Sequence, residues 1–239
     1  MSDTSRGDPL TVTIEDGVTI VRLDDGKVNV ISHRLIELLH DALDRAVEET
    51  TAVAILGREG KLSAGFDLTE MTAGPSQAAA LVGAGGRLLM RIYGHPQPVV
   101  LGVTGHALAM GAILLMAADV RIGADGNFKI GLPEVAIGMP MPLFAVDLAE
   151  ATLARNHLNR AISLAHIYDP AGAVEAGYLD EVVLAESVVP TAIERAHHLG
   201  GTLRKGAFRE TRTNLRGGTL ARFEASLERD LETFTVEDL

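Results

Sequence analysis

Hydrophobic and polar residues alternate at the start of the chain, and the period then changes to that of a helix. The run LTVTIEDGVTIVRLD (10–24) alternates on both sides of Asp16-Gly17, a pair that favours a two-residue β-turn. This pattern predicts a β-hairpin. From residue 33 to about residue 49 the apolar residues recur every three or four positions, and Ser32 can cap the helix that this spacing predicts.

Short apolar runs bounded by turn residues follow in the middle of the chain. AVAILG (52–57) and PVVLGV (98–103) predict buried strands, because a strand covered on both faces does not alternate. The segment between them is predicted to be a loop over residues 58–71 and a helix over residues 77–93, although three glycines weaken that helix. Residues 119–131 predict two short strands around a turn with a central Asp-Gly pair.

Helical patterns dominate the last third of the chain. They begin at Leu143 and are broken near Pro170 and Gly200, with one short strand expected between the two breaks. Strands followed repeatedly by helices predict α/β layering rather than a sandwich or a bundle. We predict a core over residues 1–190, with residues 191–239 as a C-terminal helical region of the same domain that caps the core or forms an oligomer interface.

Composition narrows the class of protein. A chain of 239 residues with 47% hydrophobic residues can bury a large core in one domain or two small ones. The absence of cysteine excludes a disulfide scaffold, a thiolate metal site and a cysteine nucleophile. A net charge of −11 argues against a nucleic-acid partner, and the longest apolar run, Ala107 to Ala118, is too short to cross a membrane. With no signal-peptide pattern at its start, we expect a cytoplasmic protein.

Two segments have the same form of buried strand, glycine-containing turn and helix. They are AVAILGREGKLSAGFDLTEM (52–71) and PVVLGVTGHALAMGAILL (98–115). Backbone N–H groups at the start of a helix lack intrahelical partners, and the helix dipole adds positive charge there. Two such turns that converge would bind an oxyanion with main-chain donors alone. Either segment by itself is more often an ordinary strand-to-helix corner.

Together, and in this order, the two segments resemble the crotonase (enoyl-CoA hydratase/isomerase) family. KLSAGFDLTEM (61–71) is similar to its first signature and QPVVLGVTGHALAMGAILLMAADVRIG (97–123) to its second. The resemblance continues through GLPEVAIGMPMP (131–142) and DPAGAVEAGYLDEVV (169–183). It implies a spiral of ββα units, an acyl-CoA thioester substrate, assembly as a homotrimer or dimer of trimers, and no cofactor, because CoA is part of the substrate.

The resemblance also implies how the two turns act. The family stabilises a thioester enolate with two backbone N–H groups, which its motifs place at Phe66 and Met110 of this chain. Family members usually have glycine at the second position. Methionine keeps the N–H but adds bulk beside the thioester. Loss of one such donor typically lowers the rate of an enzyme by about 10²–10³.

The number of carboxylates points to one reaction of the family. Hydratases resembling this chain use two glutamates, whose positions are occupied here by Ile113 and Glu134. Addition of water readily uses two carboxylates, whereas the Δ3,Δ2-enoyl-CoA isomerases have an apolar residue at the first position. The resemblance therefore implies that Glu134 is a single acid/base that shifts a double bond. Without the resemblance, Glu134 would more often be interpreted as a surface glutamate beside a turn proline.

Further site residues are expected on the same basis. Ile113, Met139, Met141 and Phe144 are expected to form a dry wall that raises the pKa of Glu134, although methionines are as often plain core. The expected contacts to the CoA part of the substrate are Lys27, Val28, the backbone at Leu62 and Ala64, Asp67 and Leu68. Asp67 can also cap the helix that follows it.

Other functions stay open at this level. The alternatives are a hydratase that works with Glu134 alone, an acyl-CoA-binding protein without turnover, and a thioester hydrolase. His106 is expected to be structural or solvent-facing. No metal is expected, because six other histidines lack ligand spacing: His33, His95, His157, His166, His197 and His198.

Overall fold

The computed structural model of the protein describes residues 7–233. Its strands are β1 (Leu10–Glu15), β2 (Val18–Leu23), β3 (Val30–Ile31), β4 (Ala52–Leu56), β5 (Gly60–Ser63), β6 (Gly65–Phe66), β7 (Val99–Val103), β8 (Gly105–Leu108), β9 (Val120–Ala124), β10 (Ile130–Gly131) and β11 (Glu181–Val183). Its helices are α1 (His33–Glu49), α2 (Leu68–Met71), α3 (Pro75–Tyr93), α4 (Met110–Ala117), α5 (Leu143–Thr152), α6 (Leu158–Ile162), α7 (Pro170–Ala176), α8 (Val188–Thr202) and α9 (Lys205–Thr233). Single 3-10 turns lie at Glu134–Ile137 and Ala185–Ser187.

A six-stranded sheet in the order β1-β2-β4-β7-β9-β11 forms the base of the fold. Only β1 and β2 are antiparallel, and they form the predicted hairpin around Asp16 and Gly17, both with positive φ. The first helix also begins as predicted, since the Ser32 hydroxyl accepts a hydrogen bond from the N–H of Leu35 at 3.2 Å.

The two central strands are buried on both faces, as their continuous apolar runs predict. Along β4, Val53 and Ile55 face the main core, whereas Ala54 and Leu56 face a second core that is covered by α8. Helix α9 packs over α3 and α5. The aromatic ring of Phe223 on this helix stacks on that of Phe144 at 5.1 Å between ring centroids.

A second sheet of three short parallel strands, in the order β10-β8-β5, lies beside the first. Three successive units repeat one plan. The first strand of each unit (β4, β7, β9) joins the large sheet, the second (β5, β8, β10) joins the small sheet, and a helix follows. This order confirms the predicted α/β spiral of ββα units.

Several boundaries differ from the prediction. The segment 58–71 is not a loop, because β5, β6 and the short helix α2 lie within it. These strands have two to four residues, too few to show a period of two, and they form only by pairing with β8 and β3. The strands predicted over 119–131 exist, but they lie in different sheets.

The C-terminal region is helical, as predicted. Helix α8 continues through Gly200, and the break between α8 and α9 comes at residues 203–204. The boundary proposed after residue 190 falls in the first turn of α8, and it stays a prediction. None of the helices in residues 7–233 combines the length and the apolar character that a membrane span requires.

Candidate active site

The segments expected to carry the chemistry follow the three neighbouring strands of the small sheet. Ala107 of β8 pairs with Ser63 of β5 on one side and with Ile130 of β10 on the other. Phe66 and Met110 lie three residues after Ser63 and Ala107, respectively. Glu134 lies four residues after Ile130. Because the strands are parallel, all three segments leave the sheet at its carboxyl edge, where α/β folds bind ligands.

The first two turns touch each other through glycine. Gly65 has a φ of +106°, and a Cβ added to it would lie 2.8 Å from the Cβ of Ala109 and 3.5 Å from the backbone nitrogen of Met110. A Cβ on Gly111 would lie 2.6 Å from the carbonyl oxygen of Ser63. Only glycine at both positions lets the two backbones approach this closely. The N–H of Met110 therefore lies beside the first turn.

The second turn exposes a helix start. Ala109, with φ +52° and ψ −129°, has a backbone conformation that is costly for a residue with a Cβ. Its N–H donates to the carbonyl of Gly131, and its own carbonyl accepts from the N–H groups of Ala112 and Ile113. Within residues 7–233 the N–H of Met110 donates to no protein acceptor. It is therefore available to a ligand at the positive end of α4.

The side chains of Phe66 and Met110, the two proposed donor residues, both pack against α3 at Gly85. A Cβ on Gly85 would lie 2.6 Å from Cζ of Phe66 and 3.1 Å from the methyl carbon of Met110. The side chain of Met110 is packed in the main core, and the residue is 1% exposed. The bulk that replaces the usual glycine is thus directed against α3, and it leaves the backbone N–H of Met110 in place.

Glu134 is a buried carboxylate. It is the first residue of the 3-10 turn after β10 and is 7% exposed. Burial raises the pKa of Glu134 to about 7, although its own backbone N–H acts in the opposite direction. Its Oε2 has no hydrogen-bond partner in the described part of the chain. Such a group can take up and release a proton near neutral pH.

Comparisons with known proteins show the family of the chain. The sequence profile of the family described as "Enoyl-CoA hydratase/isomerase" matches residues 13–235. The chain belongs to this family. Human "Enoyl-CoA delta isomerase 1, mitochondrial" is 28% identical over 223 residues, which cover 91% of this chain and 74% of the human protein. The "Probable enoyl-CoA hydratase" of Bacillus subtilis is 31% identical over 140 residues, or 57% of this chain and 54% of that protein.

The fold is likewise that of the family. The crystal structure of an enoyl-CoA hydratase/isomerase family protein from Pseudomonas syringae has a TM-score of 0.93 to this chain and 38% sequence identity, and it covers 97% of this chain and 100% of its own. The protein is therefore an enzyme of the enoyl-CoA isomerase and hydratase kind. The individual roles of its site residues are proposals that the geometry supports.

The apolar residues expected beside Glu134 lie in or against the core. Ile113, at the first glutamate position of the family's hydratases, is 3% exposed, and Phe144 is also buried. Met139 and Met141 are partly buried and pack against the same core. The N–H of Met139 donates to the carbonyl of Glu134 at 2.9 Å, which ties this loop to the turn that carries the carboxylate.

The structure brings together the segments expected to contact CoA. The N–H of Ala64 donates to the carbonyl of Val28 at 3.0 Å, next to the exposed Lys27. Leu62 is fully buried, and its carbonyl accepts a hydrogen bond from the side-chain amide of Asn29 at 3.1 Å, so a contact of its backbone with CoA stays a prediction. Asp67 caps α2 through the N–H of Thr69 at 2.7 Å, as predicted, and Leu68 is 66% exposed beside it.

Two features of the site have no signal in the sequence. In the sequence, Gly85 is only a residue that weakens a helix, but in the structure it leaves space for the side chains of Phe66 and Met110. Tyr178 looks like a core aromatic before a strand, but its buried hydroxyl has no hydrogen-bond partner in the described chain. His106 is structural, since its Nδ1 accepts the N–H of Lys129. Residues 7–233 bring no three His, Asp or Glu side chains together as metal ligands, and the expectation of a metal-free reaction stays a prediction.

Proposed function

We propose that the enzyme moves the double bond of a 3-enoyl-CoA thioester to C2, with Glu134 as its single acid/base. The carboxylate takes a proton from C2, and the electron pair spreads over the dienolate to the thioester oxygen. The backbone N–H groups of Phe66 and Met110 are the proposed donors to that oxygen. Protonated Glu134 then returns the proton at C4, so that the product is the 2-enoyl-CoA isomer and the carboxylate is restored.

The observation that carries this proposal is the pairing of Glu134 with Ile113. Glu134 has the burial and the raised pKa of a general base, whereas the position of the first hydratase glutamate holds the buried Ile113. An isoleucine has no acceptor with which to orient a water molecule. A single carboxylate can still move a proton between two carbons of the same substrate, because it ends the reaction in its starting state.

The test uses two substrates and two variants. Purified enzyme is incubated separately with 3-enoyl-CoA and 2-enoyl-CoA, and the products are separated by chromatography with mass detection. We expect isomerisation of the 3-enoyl compound to exceed hydration of the 2-enoyl compound. Glu134→Gln should lower the isomerisation rate by about 10²–10⁴. Glu175→Gln, on the exposed surface of α7, is the matched control and should retain the rate.

Two outcomes would overturn the proposal. Hydration at a rate comparable to isomerisation would favour a hydratase that works with one glutamate. Tight binding of both thioesters without turnover would favour an acyl-CoA-binding protein. We also propose that the reaction uses no further cofactor, that the enzyme is a homotrimer or a dimer of trimers, and that it is cytoplasmic. Light scattering tests the oligomeric state, and cell fractionation tests the location.

A further inference from the structure

Tyr178 carries a buried hydroxyl group without a protein partner. The residue follows α7 and is 0% exposed, and its hydroxyl makes no hydrogen bond within residues 7–233. Burial raises the pKa of the Tyr178 phenol above its ordinary value, so the group stays protonated and can donate. Buried hydroxyl groups in proteins nearly always have a hydrogen-bond partner, so this one calls for an acceptor nearby.

The neighbouring Tyr168 holds this ring beside the strand that leads to Glu134. Tyr168 and Ile130 of β10 exchange both backbone hydrogen bonds, at 2.8 and 2.9 Å. The rings of Tyr168 and Tyr178 are in contact at 5.8 Å between centroids. The hydroxyl of Tyr168 is already paired with Nδ1 of His157 at 3.2 Å. Of the two phenols next to β10, Tyr178 therefore has the hydroxyl that is free to donate.

Glu134 supplies an acceptor of the matching kind. Its Oε2 is buried and has no hydrogen-bond partner in the described chain, and an electrostatic interaction with Glu134 is among the causes that raise the pKa of the Tyr178 phenol. The structure thus holds a buried donor and a buried acceptor that influence each other, and neither has a hydrogen-bond partner within residues 7–233.

Other charged groups on the surrounding elements face elsewhere. Lys129 and His106 lie towards the amino ends of β10 and β8. Glu175 on α7 is exposed, and Asp147 on α5 is paired with Arg222 of α9. Arg160 of α6 lies over the ring of Tyr168 at 6.0 Å, and none of these groups shares a hydrogen bond or an ion pair with the Glu134 side chain in the described chain.

We propose that Tyr178 is a positioning residue whose hydroxyl donates to one bound water, which in turn donates to Oε2 of Glu134. This role rests on the proposed function of Glu134 as the base. One carboxyl oxygen is held by the phenol through this water, and the other is left to move the proton between C2 and C4. A hydrogen bond donated to the charged form also favours ionisation, so Tyr178 offsets part of the effect of burial on Glu134.

The test replaces one hydroxyl at a time. In Tyr178→Phe the acid limb of kcat/KM should move to higher pH by about one pH unit, the size expected for loss of one hydrogen bond to a charged group. The rate should fall about tenfold at pH 6.5 and recover at pH 9. Tyr168→Phe is the control, since its hydroxyl is paired with His157, and it should leave the limb in place.

A second measurement needs no turnover. The side-chain carboxyl of Glu134 is titrated by carbon-13 NMR in protein labelled at glutamate, with Glu134→Gln to assign its signal. The pKa of Glu134 should rise in Tyr178→Phe and stay constant in Tyr168→Phe. This titration tests Tyr178 separately from the reaction, so it stays decisive if the enzyme proves to hydrate rather than isomerise.

The outcomes that overturn the inference are distinct from loss of folding. An unchanged titration of Glu134 in folded Tyr178→Phe, or a rate loss that is equal at all pH values, would show a merely structural role. If Tyr178→Phe does not fold, incorporation of 3-fluorotyrosine replaces it as the variant. A fluorinated phenol is a stronger donor, so the limb and the pKa of Glu134 should both move to lower pH, and no movement would overturn the inference.

Discussion

The burial of Glu134 has opposite consequences for proton transfer and for stability. A carboxyl group with a pKa of about 7 is a usable base at neutral pH. The same burial means that the folded protein holds the ionised form at a cost, because a charge in an apolar surrounding loses its hydration. The residue proposed to act as the base is therefore expected to weaken the fold as the pH rises.

Glu134→Gln should make the protein more stable at alkaline pH. The pKa of Glu134 is about 7 in the folded state and 4.5 when unperturbed, so the folded state binds more protons between these values. Its stability contribution is complete below pH 4.5 and is lost as the pH rises through 7. We expect the variant to be more stable than wild type by about 3 kcal/mol at pH 8.5, and the gain to be absent near pH 4.5.

Urea unfolding at a series of pH values measures this difference. Glu175→Gln, an exposed glutamate on α7, is the control and should follow the wild-type curve at every pH. Parallel stability curves for wild type and Glu134→Gln would contradict the raised pKa.

At the scale of elements, α3 shows why three glycines stand in one helix. A Cβ on Gly83 would lie 2.8 Å from Leu231, and one on Gly86 would lie 2.7 Å from Leu227, so both glycines admit side chains of α9. Gly85 instead faces the ring of Phe66. Each glycine weakens the isolated helix by about 1 kcal/mol. Tertiary packing outweighs that cost, because the helix is covered on both of these sides.

Gly85→Ala should separate stability from activity. The added Cβ would displace Phe66 and the methyl group of Met110, which are joined to the two proposed oxyanion donors. Since misplacement by about 1 Å can cost on the order of 10² in rate, we expect kcat to fall by about tenfold to a hundredfold.

Gly83→Ala and Gly86→Ala gain the same helix propensity, but their added methyl groups meet flexible side chains away from the two turns: Leu231 and Arg87 at Gly83, and Leu227 at Gly86. Both should retain kcat, as measured by the isomerisation assay, with thermal melting to confirm that all three variants fold. Equal activity of the three glycine variants would show that the position of the Phe66 ring against α3 does not affect the reaction.

At the scale of the whole molecule, Asp119 ties α9 to the central sheet. Its carboxylate accepts from the N–H of Val99 at 2.8 Å and from the guanidinium groups of Arg212 at 2.5 Å and Arg216 at 3.0 Å. The side chains of all three charged residues are largely buried. The cluster lies at the end of α4 away from Met110, about 12 Å along a helix of eight residues.

Asp119→Ala should therefore destabilise the fold without a direct effect on the chemistry. Removal of the carboxylate leaves two buried guanidinium groups without their partner, which typically costs about 3–5 kcal/mol. Chemical denaturation measures the loss, and the kcat of the folded fraction should be retained. Glu49→Ala breaks the exposed pair with Arg45 and should cost less than about 1 kcal/mol. A similar loss in both variants would refute a role for the cluster in holding α9.

Local patterns were sufficient for much of this architecture. The Asp16-Gly17 hairpin, the helix capped by Ser32 and the buried strands β4 and β7 follow from turn chemistry, capping and hydrophobic period, which act over a few residues. The short strands β5 and β6 could not be found this way, because their pairing depends on strands far along the chain. For the same reason, the sequence did not show which side chains pack against Gly85 or what surrounds Tyr178.

The sequence by itself determined the family and the order of the ββα units, and it predicted Glu134 and Ile113 at the two glutamate positions. These are properties of residue type and spacing, and they do not require that distant segments be placed. Only the tertiary structure decided that burial raises the pKa of Glu134 to about 7, that the N–H of Met110 lies beside the first turn without a protein acceptor, and that the Tyr178 hydroxyl is buried without a hydrogen-bond partner in the described chain. Burial, close backbone approach and charge interaction depend on distances between segments, and those distances exist only in the folded chain.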